Sequence, residues 1–185
     1  MKKVNFIFFK ENAYPKKSCK ELINWFETNK HLAAKGKAGK KELDNLEIPI
    51  ELTSRESFYD LGQCLEKATS DFKIKYPKFD ELLPPWQLNN FIQLCRFLPN
   101  KYYQQIHCEL DNNEDSITRA FVFMIYLNDI EEGGQTEFVD HNFKTEPKAG
   151  NLYIWPAGPT HFHRGVPCNV SKYFLTGWFN FKIIV

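Results

Sequence analysis

Two short stretches carry the side chains best suited to chemistry, "HCELDNN" at 107–113 and "HFHRGVPCNVSK" at 161–172. In the first, His107 and Glu109 are two residues apart, so on an extended strand they would point to the same face. An imidazole and a carboxylate on one face suit a borderline divalent metal. One further imidazole would complete a set of three that leaves other positions on the metal open. His-x-Glu alone recurs by chance in many chains, so the third ligand has to be found elsewhere. The second stretch offers two histidines, His161 and His163, again two apart. It ends in Lys172, whose ammonium could neutralise a carboxylate at the floor of a pocket, where an unpaired carboxylate would be costly.

The elements that must position these groups change character along the chain. The first half reads mostly as helix. Ser18 and Glu21 ahead of "LINWF" form a capping-box pattern. Phe58, Leu61, Leu65, Ala68 and Phe72 recur at helical spacing up to Tyr76-Pro77. Between them, "AAKGKAGKKELDN" has no periodicity and reads as a solvated loop. After Pro84-Pro85 come "FIQLCRFL", "FVFMIYL", "TEFVD", "NLYIWPA", "THFHRGV" and "KYFLTGWFNF", most of them separated by Gly, Pro, Asn or Asp. Many short strands suggest a sandwich, barrel or jelly roll, with the two helices packed on one side of the sheet. Gly133-Gly134 should allow a sharp turn, and Pro147 to Gly150 should form a β-turn. The expected organisation is one domain over 1–185, with helical support over about 1–85 and a strand-rich core over about 86–185.

Composition excludes several classes. A net charge of +1 gives no electrostatic case for nucleic acid or an anionic membrane. The five cysteines include no CxxC pair, which argues against a disulfide framework or a Cys-type zinc site. The apolar patch near the start is cut short by Lys10 and Glu11, too early for a signal peptide. No stretch approaches the ~20 apolar residues of a membrane helix, so the expected location is cytoplasmic.

From Tyr103 to Phe181 the sequence resembles the prolyl 4-hydroxylase-like branch of the 2-oxoglutarate- and Fe(II)-dependent dioxygenases. "HCE", "IYLND", "EEGGQTEF", "EPKAGNLYIWP" and "HRGVPCNVSKYFLTGWF" occur in that family's order. In the family the distal histidine is followed four positions on by proline and nine or ten on by a basic residue. Counted from His163, these are Pro167 and Lys172. The resemblance implies a mixed α+β, mainly β fold, with a double-stranded β-helix (jelly-roll) core and N-terminal helices packed on one sheet. It implies Fe(II) held by His107, Glu109 and His163. It also implies 2-oxoglutarate held through its 5-carboxylate by Lys172, with the hydroxyls of Tyr126 and Thr176 in support.

Two positions depart from the pattern. Most relatives carry Asp where this chain has Glu109, with Asp111 as a fallback ligand, and Phe97 stands where relatives often carry another pocket tyrosine. His161, Arg119 and Trp178 are candidates for touching substrate. His161 equally suits a structural strand histidine, Arg119 a structural role, and Trp178 a cavity wall. Cys108 would project to the face opposite the ligands.

The implied reaction hydroxylates an unactivated C–H bond while O₂ converts 2-oxoglutarate to succinate and CO₂, with ascorbate as reductant. Peptidyl proline, other peptides, amino acids and small metabolites all remain open as substrates, as does the oligomeric state. Segments 34–42 and 111–118 are candidate lids. The rival reading is a metal-binding jelly roll without oxygenase activity. Lys172 speaks against it, because a structural metal site has no use for a dicarboxylate pocket.

Overall fold

A computed structural model describes residues 5–35, 43–54, 58–110 and 116–182. In chain order the first half contains β1 (Phe8–Lys10), α1 (Lys16–Asn29), β2 (Ala34–Lys35), β3 (Leu43–Pro49), α2 (Tyr59–Lys75) and α3 (Lys78–Glu81). Then follow β4 (Trp86–Leu88), β5 (Phe91–Phe97), β6 (Arg119–Tyr126), β7 (Thr136–Phe138) and β8 (Phe143–Lys144). The last strands are β9 (Leu152–Pro156), β10 (His163–Gly165) and β11 (Lys172–Phe181). The main sheet runs β1-β9-β6-β11-β5-β3-β2, with β4 paired to the end of β11. A second sheet runs β10-β7-β8. The described strand pairs are antiparallel.

Alternation along the central strands gives the main sheet two different faces. On β11, Tyr173, Leu175 and Phe179 pack toward the helices, whereas Lys172, Phe174, Thr176 and Trp178 line a cavity on the other side. Neighbouring β6 does the same: Phe121, Phe123 and Ile125 join the helical core, and Met124 faces the cavity. The helices cover the first face as their spacing implies. Cys19, Leu22 and Phe26 of α1 are buried there, with Leu61, Cys64, Leu65, Ala68 and Phe72 of α2. Each large apolar side chain so buried is worth roughly 1.5–3 kcal/mol. Phe72 meets Phe8, Trp86 and Phe121 edge-on, with centroids 6.0, 6.2 and 5.0 Å away.

The first half is less purely helical than its sequence suggests. β3 pairs along its length with β5, from Leu43 opposite Phe97 to Pro49 opposite Phe91, and β1 pairs with β9. The alternation of β3 is disguised by a charge: Asp44 shares the helix-facing side with buried Leu46 and Ile48. It is tolerated there because Arg96 Nη2 donates to it at 2.6 Å, Nε donates at 3.2 Å, and Lys35 pairs with it as well. Arg96 also reaches Glu27 of α1 at 2.8 Å, and Tyr173 donates its hydroxyl to the same Glu27 oxygen at 2.7 Å. The capping-box expectation fails too. α1 begins at Lys16, directly after Pro15, so Ser18 lies inside the first turn and its hydroxyl bonds to Asp60 of α2 instead.

Gly133 and Gly134 have φ of +78° and +74°, ahead of β7. A Cβ at Gly133 would lie 1.8 Å from the carbonyl oxygen of Pro167, so this close approach of two segments admits glycine alone. The turn ending at Gly150 is closed by Asn151 N–H donating to Lys148 O at 3.0 Å.

Candidate active site

His107 and Glu109 do not lie on a strand, contrary to the expectation from their spacing. The segment is irregular apart from one isolated antiparallel bridge between His107 and His163. In that bridge each backbone N–H donates to the other residue's carbonyl, at 3.0 and 2.8 Å. Gly165 N–H donates to Tyr103 O at 2.8 Å, and Glu109 N–H donates to Ala157 O at 3.0 Å. These bonds bring His107, Glu109 and His163 together with their ligand atoms within 4.8 Å of one another.

Ring orientation fits a cation. Nδ1 of His107 lies 3.0 Å from Gln105 O, and Nδ1 of His163 lies 2.9 Å from His161 O. A carbonyl can only accept, so each Nδ1 carries the hydrogen and each Nε2 is left to face Glu109. Oε1 of Glu109 is 3.2 Å from Nε2 of His163 and 3.9 Å from that of His107. Three electron-pair donors facing one another repel unless a proton or a metal cation lies between them. Burial pushes the Glu109 carboxyl up. With a proton on each Nε2 in place of a metal, the hydrogen bond from His163, the charges of His163 and His107, and the Trp178 N–H outweigh it and hold the carboxyl down to about 2. Two neutral imidazoles and one carboxylate are a donor set that fits a divalent transition metal.

Lys172 lines the same cavity. It is 6% exposed, and Nζ sits 5.0 and 5.1 Å from the ring centroids of Tyr126 and Phe174. Among the described residues no carboxylate or hydrogen-bond acceptor pairs with it. Phe97 lies opposite Lys172 in the sheet and also lines the cavity.

The other residues singled out from sequence are placed differently. The Tyr126 hydroxyl bonds to Thr145 Oγ1 at 2.5 Å and to Thr136 Oγ1 at 3.4 Å, and Tyr126 is outside the cavity lining. What it offers Lys172 is its ring face. Thr176 lines the cavity but spends its single hydroxyl hydrogen on Phe123 O at 2.8 Å, so it has none to donate to a ligand carboxylate. His161 does not line the cavity. Its Nε2 donates to Asn5 O at 2.8 Å, Thr160 Oγ1 meets Nδ1 at 3.0 Å, and its ring stacks on His141. It belongs to a short 3-10 helix (Pro159–His161), not to the strand of His163, and it serves the site through its backbone carbonyl.

Arg119 is likewise outside the lining. Its guanidinium lies 3.9 Å over the Trp178 ring, and Nη1 donates to Glu109 O at 2.9 Å. Trp178 lines the cavity and donates its indole N–H to Glu109 Oε2 at 2.7 Å. Cys108 donates to Leu110 O and does not line the cavity, as its opposite orientation implied. Asp111 lies outside the described residues, as do 36–42 and 111–115 of the two candidate lids. Sequence reasoning assigned no role to Tyr103, whose ring meets His107 edge-on at 4.1 Å, nor to Thr136 and Thr145, whose hydroxyls both meet that of Tyr126. Tyr103 opens the stretch that resembles the dioxygenases, which was its one available signal.

Residues 92–180 match the family model for the 2OG-Fe(II) oxygenase superfamily. A putative prolyl 4-hydroxylase of Acanthamoeba polyphaga mimivirus is 30% identical over 105 residues, 48% of this chain. The match spans 43% of that relative's length, less than half of it. Among solved structures, a viral collagen prolyl hydroxylase from Paramecium bursaria Chlorella virus-1, in complex with 2OG, superimposes with a TM-score of 0.71. It is 18% identical, with 96% of this chain and 97% of that one covered. A prolyl-4-hydroxylase from Pseudomonas putida gives 0.71 at 17% identity, covering 96% and 93%. A prolyl hydroxylase from Trichoplax adhaerens, bound to a hypoxia-inducible-factor peptide fragment, gives 0.73 at 15%, covering 96% and 84%. At such identities the likeness establishes a shared architecture, the double-stranded β-helix with N-terminal helices. Residues 92–180, just under half of the chain, are thus similar to the 2OG-Fe(II) oxygenase superfamily, and the neighbours in sequence and in structure are prolyl 4-hydroxylase-like.

Proposed function

We propose that this chain is a 2-oxoglutarate- and Fe(II)-dependent dioxygenase that hydroxylates an unactivated C–H bond of a peptide or small-molecule substrate. One observation carries the reading: Lys172, a buried residue, lines the same cavity as the His107–Glu109–His163 cluster, and among the described residues its ammonium meets two aromatic faces but no acceptor. A charge so placed is costly until an anion meets it. A dicarboxylate with one end at the metal and the other at Lys172 supplies that anion.

In this reading His107, Glu109 and His163 hold the metal, and Lys172 holds the far carboxylate. Bound Fe(II) and 2-oxoglutarate together supply the activation of O₂, with one oxygen atom going to the C–H bond and the other to succinate as CO₂ leaves. The chain's own part is orientation and exclusion of water. Nδ1–H groups fix both imidazoles, aromatic rings shield the ammonium, and Phe97, Phe174 and Trp155 make much of the wall apolar. No side-chain acid or base is needed. Peptidyl proline is the substrate favoured by the kinship with prolyl hydroxylases, and ascorbate is the reductant we expect to sustain turnover.

The test is succinate release from 2-oxoglutarate by Fe(II)-loaded protein with ascorbate, first alone and then across a panel of proline-containing peptides, other peptides and amino acids. Release should occur without substrate, rise with a suitable peptide, and vanish in His163→Ala. Folded protein that takes up iron yet releases no succinate would instead establish the inactive metal-binding jelly roll.

A further inference from the structure

Glu109 is one methylene longer than the aspartate usual in the family, and that slack would let its carboxylate swing or grip a metal with both oxygens. Two side chains, those of Trp178 and Arg119, remove the freedom. Trp178 uses its one donor, Nε1–H, on Oε2 at 2.7 Å. Arg119 places Nη1 3.8 Å from the same oxygen and donates to the Glu109 carbonyl at 2.9 Å. The Arg119 guanidinium also lies 3.9 Å over the indole ring, fixing the tryptophan that fixes the carboxylate. The other oxygen, Oε1, is the one turned toward Nε2 of His163 and of His107.

We infer that Trp178 and Arg119 are positioning residues that make Glu109 a one-oxygen ligand, Trp178 by occupying Oε2 and Arg119 by bracing Trp178 and the Glu109 backbone. The inference rests on the proposal that His107, Glu109 and His163 hold the metal. Its consequence is that Trp178 matters to metal binding because residue 109 is Glu. One-oxygen ligation keeps one more position of the metal available than two-oxygen ligation would. An aspartate, about 1.5 Å shorter by one carbon–carbon bond, could not reach both the metal and the indole N–H.

The experiment is a double-mutant cycle read by Mn(II) affinity, measured calorimetrically on the full chain without turnover. Trp178→Phe keeps an aromatic ring and removes the N–H. In the wild-type background it should weaken Mn(II) binding by about 10- to 100-fold. In the Glu109→Asp background the same change should alter affinity by less than about twofold, the limit expected of uncoupled sites. Arg119→Lys keeps the charge and loses the stacked plane, and should weaken Mn(II) by about threefold or more in the wild-type background and by less in the Glu109→Asp background, where only the brace on the backbone carbonyl is lost. It carries the test if Trp178→Phe does not fold. An equal penalty in both backgrounds, or none in the wild-type background, overturns the inference while leaving the metal site intact. A folded wild-type chain that binds no Mn(II) overturns the metal site and the inference together.

Discussion

A half-buried cation and a buried one stand at neighbouring positions of the same sheet and on opposite faces. Arg96 on β5 pairs in register with Tyr173, and Lys172, the next residue on β11, pairs with Phe97. On the helix side Arg96 meets the carboxylates of Asp44 and Glu27. On the cavity side Lys172 meets two aromatic faces and, among the described residues, no acceptor. The difference separates two uses of charge in a protein interior. A cation whose counter-charges belong to the chain ties elements of the fold together. A cation that meets no counter-charge among the described residues is, in the function proposed above, a receptor for an anion brought from outside.

The largest effect should come from emptying the receptor. Lys172→Ala should weaken 2-oxoglutarate binding, measured with Mn(II) in place of Fe(II), by a factor of roughly 30 to several thousand, equivalent to about 2–5 kcal/mol. Metal affinity and folding stability should be nearly unaffected, and Lys172→Arg should be milder because a guanidinium serves the same carboxylate. An unchanged dissociation constant for 2-oxoglutarate would place Lys172 outside the pocket and end the comparison.

Arg96→Ala should show the opposite pattern. It leaves Asp44, whose side chain is 3% exposed, without both guanidinium hydrogen bonds and with Lys35 as its remaining cation, and should lower stability in urea by about 3 kcal/mol. The affinity of the folded protein for 2-oxoglutarate should not change. Loss of both properties together would mean that the two faces are coupled.

Acid should find the Arg96 cluster next. Burial pushes the Asp44 carboxyl up, but hydrogen bonds and charges from Lys35 and Arg96 outweigh it and hold the group below its ordinary 3.8. Glu27 is likewise below its ordinary 4.5, where burial is outweighed by bonds from Tyr173, Lys30 and Arg96. The unfolded chain therefore takes up these protons first as pH falls. The stability they contribute is complete above about pH 5 and is lost as pH drops through the folded values. Urea unfolding at about pH 5 and about pH 3 should show a larger loss in the wild type than in Arg96→Ala. Equal losses would assign the acid sensitivity to other carboxylates.

The smallest effect sharpens the account of the receptor. Tyr126→Phe keeps the ring beside Lys172 and removes the hydroxyl bonded to Thr145. Stability should fall by about 1 kcal/mol, and 2-oxoglutarate affinity should stay within about threefold. A loss of tenfold or more would show that the hydroxyl reaches the ligand directly.

Sequence and structure agree where a pattern is local. The strands from β5 onward, except the two-residue β8, are visible as alternating or aromatic runs bounded by turn residues, and α2 as a clean helical period. β3 is concealed because Asp44 occupies an inward position that is neutralised from β5, 52 residues away. The three candidate ligands are legible from their order and from the offset of His163 to Pro167 and Lys172. The bond between Trp178 and Glu109 joins residues 69 apart and leaves no trace in spacing. His161 misled for the same reason: its two-residue offset from His163 implies a shared face only if both lie on one strand, and the 3-10 turn breaks that premise.

The bridge between His107 and His163 sets a kinetic property of the site. The segment carrying two of the three candidate ligands is fastened to the rest by a seam of four described backbone bonds, at Tyr103, at His107 in both directions, and at Glu109. So short a seam can part in a local fluctuation without unfolding the sheet. A cation gripping His107 and Glu109 on one side and His163 on the other crosses the seam like a rivet. With the metal held as proposed, its uptake and release should follow the closing and opening of this seam, and the amide hydrogens of His107 and His163 should be its clock: slow to exchange with solvent when the rivet is in, faster when a chelator has drawn it out.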